Sequence, residues 1–211
     1  MFLSRSSFTM IFLNFFQMSL KSEVSDFSVF DSHCHLEFMA WRNAPIETLS
    51  HCMERDGENL GNKFRGCIVN FCQPGQWSQG ARGESVSHLL RDSARDGRIG
   101  ISLGCHPHFA DKMTDYRWKQ LKRLVSAPSE EFPWLEVVAF GECGLDYSHK
   151  NSVDKNRQIE VFERQLKLAL SLSLPLVLHL REAEDDGLAV LERVGVPPSY
   201  PIHRSVAHQR C

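Results

Sequence analysis

Short apolar runs alternate with amphipathic runs along this chain from Val29 onward, and this alternation restricts the possible folds more than any other feature. Short apolar runs predict buried strands, whereas apolar residues at helical spacing predict helices. Strands that alternate with helices form right-handed βαβ units, in which helices cover a parallel sheet. No G-x-G-x-x-G follows the first strand, which argues against a doubly wound dinucleotide-binding sheet. We therefore predict an α/β fold, a (β/α) barrel of the TIM type.

The predicted elements fall short of a complete barrel. A full barrel has eight strands and about 250 residues, whereas this chain has 211 residues. We therefore expect an incomplete barrel with about six of the eight strands. The strands are predicted at Val29–Leu36, Arg65–Cys72, Ile99–Cys105, Val137–Glu142, Leu174–Leu180 and Pro201–Ser205. The helices are predicted at Ile46–Arg55, Glu84–Arg95, Tyr116–Val125, Asp154–Leu172 and Ala183–Val194.

The N-terminal segment differs from the rest of the chain. Residues 8–16 form a strongly apolar run that is too short to cross a membrane. This run is similar to the apolar core of a signal peptide, but no small-x-small cleavage site follows it. We interpret residues 1–27 as a disordered leader rather than a signal peptide, and residues 28–211 as the partial barrel. We expect no association with a membrane.

Charge and cysteine content narrow the class of protein. The formal net charge is −2, so the chain does not hold nucleic acid by overall charge, and any such contact must be local. The seven cysteines form no C-x-x-C pair. Several lie in or beside apolar runs, which is typical of reduced thiols in a core rather than a disulfide framework. We predict an intracellular protein, nuclear or cytoplasmic.

The first strand ends in a pair of histidines beside an aspartate. Because alternate residues of a strand face the same side, Asp31, His33 and His35 share one face. Two neutral imidazoles so placed can bind one divalent ion such as zinc, manganese or iron. A pair of surface histidines is the alternative interpretation. The apolar strand before them and the adjacent carboxylate favour metal binding.

A carboxylate at the end of the fourth strand is a second candidate ligand. Glu142 directly follows the apolar run Val137–Phe140 and Gly141. A carboxylate in such a place is costly unless it is paired or bound to a metal. Gly141 and Gly144 allow backbone or ligand to approach closely. A glycine-rich turn with an exposed glutamate is the alternative.

Further candidates come from the third and fifth strands. His179 lies on the predicted inward face of its strand, where a lone histidine is more often a core residue than a ligand. Because the ends of the first and fourth strands already offer candidate metal ligands at the same rim, we favour His179 as a metal ligand. Arg181 and either His106 or His108 are candidates for contacting a substrate phosphate. A structural role is the alternative for each of these three.

Four ordered motifs together resemble the TatD family of metal-dependent deoxyribonucleases. The motifs are Asp31–Leu36, Gly104–His108, Gly141–Tyr147 and Leu178–His179. The fourth helix is also similar to that family's Q-x-x-x-F-x-x-Q-L-x-x-A pattern, with Gln158, Phe162, Gln165, Leu166 and Ala169 in the matching places. The resemblance covers about Phe30 to Arg204.

The resemblance implies a fold, an activity and a set of ligands. It implies a metallo-dependent hydrolase barrel that cleaves phosphodiester bonds of DNA with two divalent ions (Mg, Mn or Zn). His33 and His35 would bind one ion, and His179 would bind the other. Glu142 would bridge the two ions and act as the catalytic residue. His106 and Arg181 would remain the substrate-binding candidates.

The chain departs from the family pattern near its C-terminus. The family has a sixth-strand His-Cys-Phe-x-Gly, whose histidine binds the second ion, and Ser205 stands at that place here. His203 shares its strand face but does not match the motif. A later aspartate in a T-D-x-P setting is also missing from the sequence. We interpret the chain as a C-terminally truncated member with an impaired second ion site.

Two alternatives to an active nuclease remain open. The first is a catalytically inactive fragment that binds a metal or a partner. The second is a related metallohydrolase that acts on amides or lactones. It predicts a carboxylated lysine or similar bridge in place of Glu142, and no such lysine is evident.

Overall fold

A computed structural model describes residues 29–35, 64–77, 97–126 and 135–205. The described part contains six strands and three α-helices, together with the 3-10 helices Pro74–Trp77 and Pro107–Lys112. The strands are β1 (Val29–Cys34), β2 (Phe64–Phe71), β3 (Ile99–Leu103), β4 (Val137–Asp146), β5 (Leu176–Arg181) and β6 (Ile202–Ser205). The helices are α1 (Asp115–Val125), α2 (Lys155–Leu172) and α3 (Glu184–Val194).

The six strands form one sheet in the order β1-β2-β3-β4-β5-β6, and all neighbouring pairs are parallel. Each strand lies beside the next one along the chain, which is the arrangement of a barrel wall; a doubly wound sheet reverses its order at a switch point. The predicted incomplete barrel is confirmed. The predicted leader at 1–27 and the predicted helices Ile46–Arg55 and Glu84–Arg95 lie outside the described residues.

The helix α2 packs against β4, the strand that carries Glu142. Its N-cap is Asp154, whose carboxylate accepts backbone N–H bonds from the first helical turn at 2.9 and 3.2 Å. Its buried face includes Phe162 and Leu166, both fully buried in the core. It ends at Leu172, and its C-cap Ser173 adopts the left-handed conformation that commonly terminates a helix. Its predicted amphipathic spacing therefore corresponds to the observed buried face.

The strand β4 is longer than predicted, and this changes the setting of the candidate carboxylate. It continues through Glu142 to Asp146, and Glu142 is 3% exposed. The alternative of a glycine-rich turn with an exposed glutamate is therefore wrong. The glycines serve strand packing instead, because a Cβ on Gly141 would lie 2.3 Å from the carbonyl oxygen of Val177 on β5.

None of the described helices has the length and apolar content needed to cross a membrane.

Candidate metal centre

Side chains from three strands converge on the carboxylate of Glu142. Its Oε2 lies 3.5 Å from Nε2 of His33 and 3.6 Å from Nε2 of His35, both on the β1 side of the sheet. Its Oε1 lies 3.0 Å from Nδ1 of His179 on β5. Because parallel strands end at the same edge, residues far apart in sequence meet here. The structure therefore brings together all four of the predicted metal-binding side chains.

The local sequence explains the orientation of the β1 histidines. His33 and His35 are two residues apart at the end of an extended segment, and their ring centroids lie 5.2 Å from each other. The side chain of Asp31 accepts the backbone N–H of His33 at 3.0 Å. Asp31 is exposed and supports the local backbone. Both rings therefore point towards the single carboxylate of Glu142.

The electrostatics favour an ionised carboxylate at this edge. Burial by itself would raise the pKa of Glu142, but the contacts with His179, His33 and His35 outweigh burial and hold that pKa well below its usual range. Burial likewise opposes protonation of His179, yet Glu142 and Asp146 raise the pKa of His179 above its ordinary value. A negative charge is thus surrounded by nitrogen atoms whose lone pairs can bind a cation when the rings are neutral.

The distances around Oε2 fit two ligands of one divalent ion. An N–H···O hydrogen bond is typically about 2.9 Å long. The Nε2 atoms of His33 and His35 are farther than that from Oε2 of Glu142, at 3.5 and 3.6 Å. Two ligands about 2.0–2.1 Å from a tetrahedral ion are separated by roughly 3.4 Å. Imidazole nitrogens with a carboxylate oxygen are also a donor set suited to zinc and manganese. The residues present therefore fit a divalent ion.

A second set of possible ligands shares the same carboxylate. The first set consists of His33, His35 and Glu142, and the second consists of His106, Glu142 and His179. Within each set the candidate ligand atoms lie within 4.8 Å of one another. The rings of His106 and His179 have centroids 4.3 Å apart. Burial lowers the pKa of His106 to about 3, with a further contribution from His179, so His106 stays neutral. The predicted substrate-binding His106 thus lies in a position from which it can also bind a cation.

Two residues of the site received too little weight in the sequence interpretation. Asp146 lies at the end of β4 and is 1% exposed. Its Oδ2 is 2.8 Å from Nε2 of His108 and 3.1 Å from Nε2 of His179. Strand periodicity contains the signal, because Asp146 is four residues after Glu142 and such residues share a face. The sequence interpretation gives Asp146 no role and names His108 only as a candidate for contacting a substrate phosphate.

The remaining candidates lie at the margin of the cluster. Arg181 is partly exposed at the end of β5, in register with Asp146. Among the described residues, the side chain of Arg181 has no hydrogen-bond or ion-pair partner. Ser205 is in register with His179 across the β5–β6 pair. The ring of His203 stacks on that of His33 at a centroid distance of 5.8 Å.

Two buried glutamines of α2 hold the backbone near the site. Gln165 accepts the backbone N–H of Cys105 at 2.7 Å and donates to the carbonyl of the same residue at 3.1 Å. Gln158 accepts the backbone N–H of Asp146 at 2.9 Å and donates to Val153 at 2.9 Å. Cys105 directly precedes His106. The glutamines of the family-like helix pattern therefore fix two segments that carry site residues.

Replacing Gln165 with leucine is expected to lower the free energy of unfolding by about 2–3 kcal/mol, because the buried N–H and C=O of Cys105 would each lose a partner. Urea denaturation of both proteins measures this difference. Gln120→Leu is the matched control, since Gln120 bonds to the side chains of Arg117 and Tyr116 on the surface of α1. The control should change stability by less than about 0.5 kcal/mol. Equal effects of the two substitutions would show that Gln165 does not hold this segment.

The fold and the site together define a class of protein, an incomplete (β/α) barrel of the metallo-dependent hydrolase kind. A model of the family described as "TatD related DNase" matches residues 30–209. This chain belongs to the TatD family.

Individual relatives agree with this assignment. The chain is 35% identical over 174 residues to the "3'-5' RNA nuclease TATDN2" of Homo sapiens. This alignment covers 82% of this chain and 21% of the human protein. The chain is 41% identical over 97 residues to the "3'-5' ssDNA/RNA exonuclease TatD" of Erwinia billingiae, covering 46% of this chain and 34% of that one. The crystal structure of YjjV, a TatD homolog from Escherichia coli K12, superposes with a TM-score of 0.57 at 26% identity, over 78% of this chain and 55% of that one. The chain spans less than two thirds of each of these proteins.

Proposed function

We propose that this chain is a divalent-metal-dependent hydrolase of phosphodiester bonds in nucleic acid. The observation that carries the proposal is the convergence of His33, His35 and His179 on the buried carboxylate of Glu142. This arrangement is supported by membership of the TatD family and by relatives whose names describe nucleases. Bound divalent ions would supply Lewis-acid stabilisation of charge on the phosphoryl group and activation of water.

Each side chain has a role in this proposal. His33, His35 and Glu142 would hold one divalent ion, and His179 and Glu142 would hold a second one. Arg181, whose side chain has no hydrogen-bond or ion-pair partner among the described residues, would bind a phosphate with its planar guanidinium. His106 either binds the substrate phosphate, as its motif suggests, or completes the second ion site.

The second ion is expected to be held more weakly than the first. The family's sixth-strand ligand position carries Ser205 here, and Ser205 is in register with His179. His106 offers one compensating nitrogen beside Glu142 and His179. We therefore propose two ions, with magnesium, manganese or zinc as the candidates and with unequal affinities.

The proposed substrate is single-stranded nucleic acid, with DNA as the first choice from the family motifs. The names of the relatives include RNA as well as single-stranded DNA. The chain carries a net charge of −2, so substrate binding must depend on the bound ions and on local contacts such as Arg181. The intracellular location expected from the cysteines stays a prediction.

Labelled oligonucleotides test this function directly. The purified chain is incubated with Mg²⁺ or Mn²⁺ and with single-stranded DNA or RNA labelled at the 5' end, with and without EDTA. We expect metal-dependent shortening from the 3' end, and no shortening by a Glu142→Gln variant. Cleavage that persists in EDTA, or that is equal in the variant, would exclude the proposed centre.

A catalytically inactive metal-binding or partner-binding fragment is the second candidate function. It is favoured by Ser205, which stands at the place of the family's sixth-strand ligand histidine. This alternative predicts bound metal without cleavage of any of the labelled substrates. The amide or lactone hydrolase receives less support, because Glu142 already occupies the shared position between the two candidate ligand sets.

A further inference from the structure

The carboxylate of Asp146 belongs to neither candidate ligand set, yet it is directed at the site. It lies at the end of β4 and is almost completely buried. Its Oδ2 is within hydrogen-bonding distance of Nε2 of His108 (2.8 Å) and Nε2 of His179 (3.1 Å). The other ring nitrogen of His179 faces Glu142 at 3.0 Å. The ring of His179 therefore lies between two carboxylates, one on each nitrogen.

Asp146 is held so that its two oxygens have different roles. Its Oδ1 accepts the backbone N–H of Ser148 at 2.9 Å. Its backbone N–H donates to Gln158 at 2.9 Å, and its backbone carbonyl accepts from Asn151 at 2.9 Å. With the main chain and Oδ1 both fixed, Oδ2 remains directed at the two histidines.

The hydrogen-bond geometry of Asp146 restricts where the ring proton of His179 can lie. Oδ1 of Asp146 is occupied by the backbone N–H of Ser148, and Oδ2 lies 2.8 Å from Nε2 of His108 and 3.1 Å from Nε2 of His179. An ionised carboxylate only accepts hydrogen bonds, so Nε2 of His179 must carry a proton to form one. A neutral imidazole has a single ring proton, and Nδ1 then keeps its lone pair.

We propose that Asp146 is a positioning residue that keeps the ring proton of His179 on Nε2 and thereby presents Nδ1 to a divalent ion beside Glu142. Histidine ligands usually donate their second ring N–H to an outer carboxylate or carbonyl, which fixes both the tautomer and the ring orientation. This inference rests on the proposed metal centre and deepens it, because it assigns the residue that orients His179.

An Asp146→Asn substitution tests this role with almost no change of shape. The backbone N–H of Ser148 requires an oxygen at the Oδ1 position, so the new amide NH₂ group takes the Oδ2 position and faces Nε2 of His179. An N–H donor there requires the lone pair of Nε2, which moves the ring proton to Nδ1. That proton then occupies the nitrogen that is to bind the ion.

The expected result is a loss of zinc affinity confined to the side of the site that contains His179. Zinc titration by calorimetry should show about 10–100-fold weaker binding of that ion in Asp146→Asn. At the site of His33 and His35, the zinc affinity of Asp146→Asn should stay within about threefold of that of the wild type. The reason is that an outer carboxylate acts through the ligand that it contacts, and Oδ2 of Asp146 contacts His108 and His179. Asp111→Asn is the matched control: Asp111 is exposed and pairs with Lys112 at 2.7 Å. The control should bind both ions like the wild type.

A spectroscopic measurement on the wild-type chain decides the inference even if the variant does not fold. Nitrogen-15 spectra of the histidine rings in the zinc-loaded chain should show His179 protonated at Nε2 and bound to zinc through Nδ1. Zinc on Nε2, or equal affinities in the wild type and a folded Asp146→Asn variant, would overturn the inference. No zinc at His179 in the wild type would overturn both the inference and the proposed second ion. Zinc bound as expected without cleavage of nucleic acid would refute only the proposed function.

Discussion

Replacing Glu142 with glutamine is expected to abolish tight binding of both ions and to remove nuclease activity. The carboxylate has one oxygen near His33 and His35 and the other near His179. A neutral amide offers a single acceptor oxygen and no charge, so neither ion keeps its anionic ligand. Loss of outer-shell partners alone weakens metal binding by about 10–100-fold, and we expect losing the shared ligand to weaken it by at least about 100-fold.

Calorimetric titration with Mn²⁺ or Zn²⁺ measures this effect, with the oligonucleotide assay in parallel. Glu136→Gln is the matched control, because Glu136 is exposed just before β4 and only six residues from Glu142. The control should match the wild type in both measurements. Metal-free thermal unfolding of each variant shows whether the barrel is intact. A folded Glu142→Gln variant with wild-type affinity for both ions would show that the carboxylate is not a shared ligand.

Replacing Gly144 with alanine is expected to produce the largest loss of stability of any single methyl addition to β4. Gly144 has a φ of +147°, and an added Cβ would lie 2.0 Å from the carbonyl oxygen of His179. A side chain at this φ is strained by about 1–3 kcal/mol, and the clash with β5 backbone adds to that strain. We expect the variant to lose about 3 kcal/mol or more, an effect found only where backbone or core geometry is broken.

Thermal unfolding of the metal-free chain measures this loss. A chain of this size loses about 2–4 °C of Tm per kcal/mol, so a fall of about 6–12 °C or a failure to fold is expected. Gly97→Ala is the control, because no atom of the described residues lies within 4 Å of a Cβ placed there. The control should shift Tm by no more than about 2 °C. A Gly144→Ala variant as stable as the control would mean that β4 and β5 are not in such close contact.

The elements with regular spacing were predicted well from the sequence. The helix α2 was predicted at Asp154–Leu172 and is observed at Lys155–Leu172, because its apolar spacing and its N-cap aspartate are local signals. The end of β4 was missed by four residues. The two glycines in that stretch suggested a turn, whereas they allow β4 to approach β5, and no local pattern reveals such a close approach.

The candidate site was partly predictable for a similar reason. His33, His35, Glu142 and His179 stood out because each follows or ends an apolar strand, and parallel strands bring their ends to one edge. The role of Asp146 depends on His108, 38 positions earlier, and on His179, 33 positions later. These partners become visible only when the strand register is known.

The location of a bound ion is the most direct test of the central claim. Crystals of the chain grown with Mn²⁺ or Zn²⁺ can be measured at the absorption edge of the metal, so that anomalous scattering reveals the ion positions. We expect a peak bonded to Nε2 of His33, Nε2 of His35 and one oxygen of Glu142 at about 2.0–2.2 Å, with a weaker peak beside Nδ1 of His179. A metal-saturated crystal with ions elsewhere and none at Glu142 would contradict the claim that this carboxylate joins the imidazoles into a metal centre.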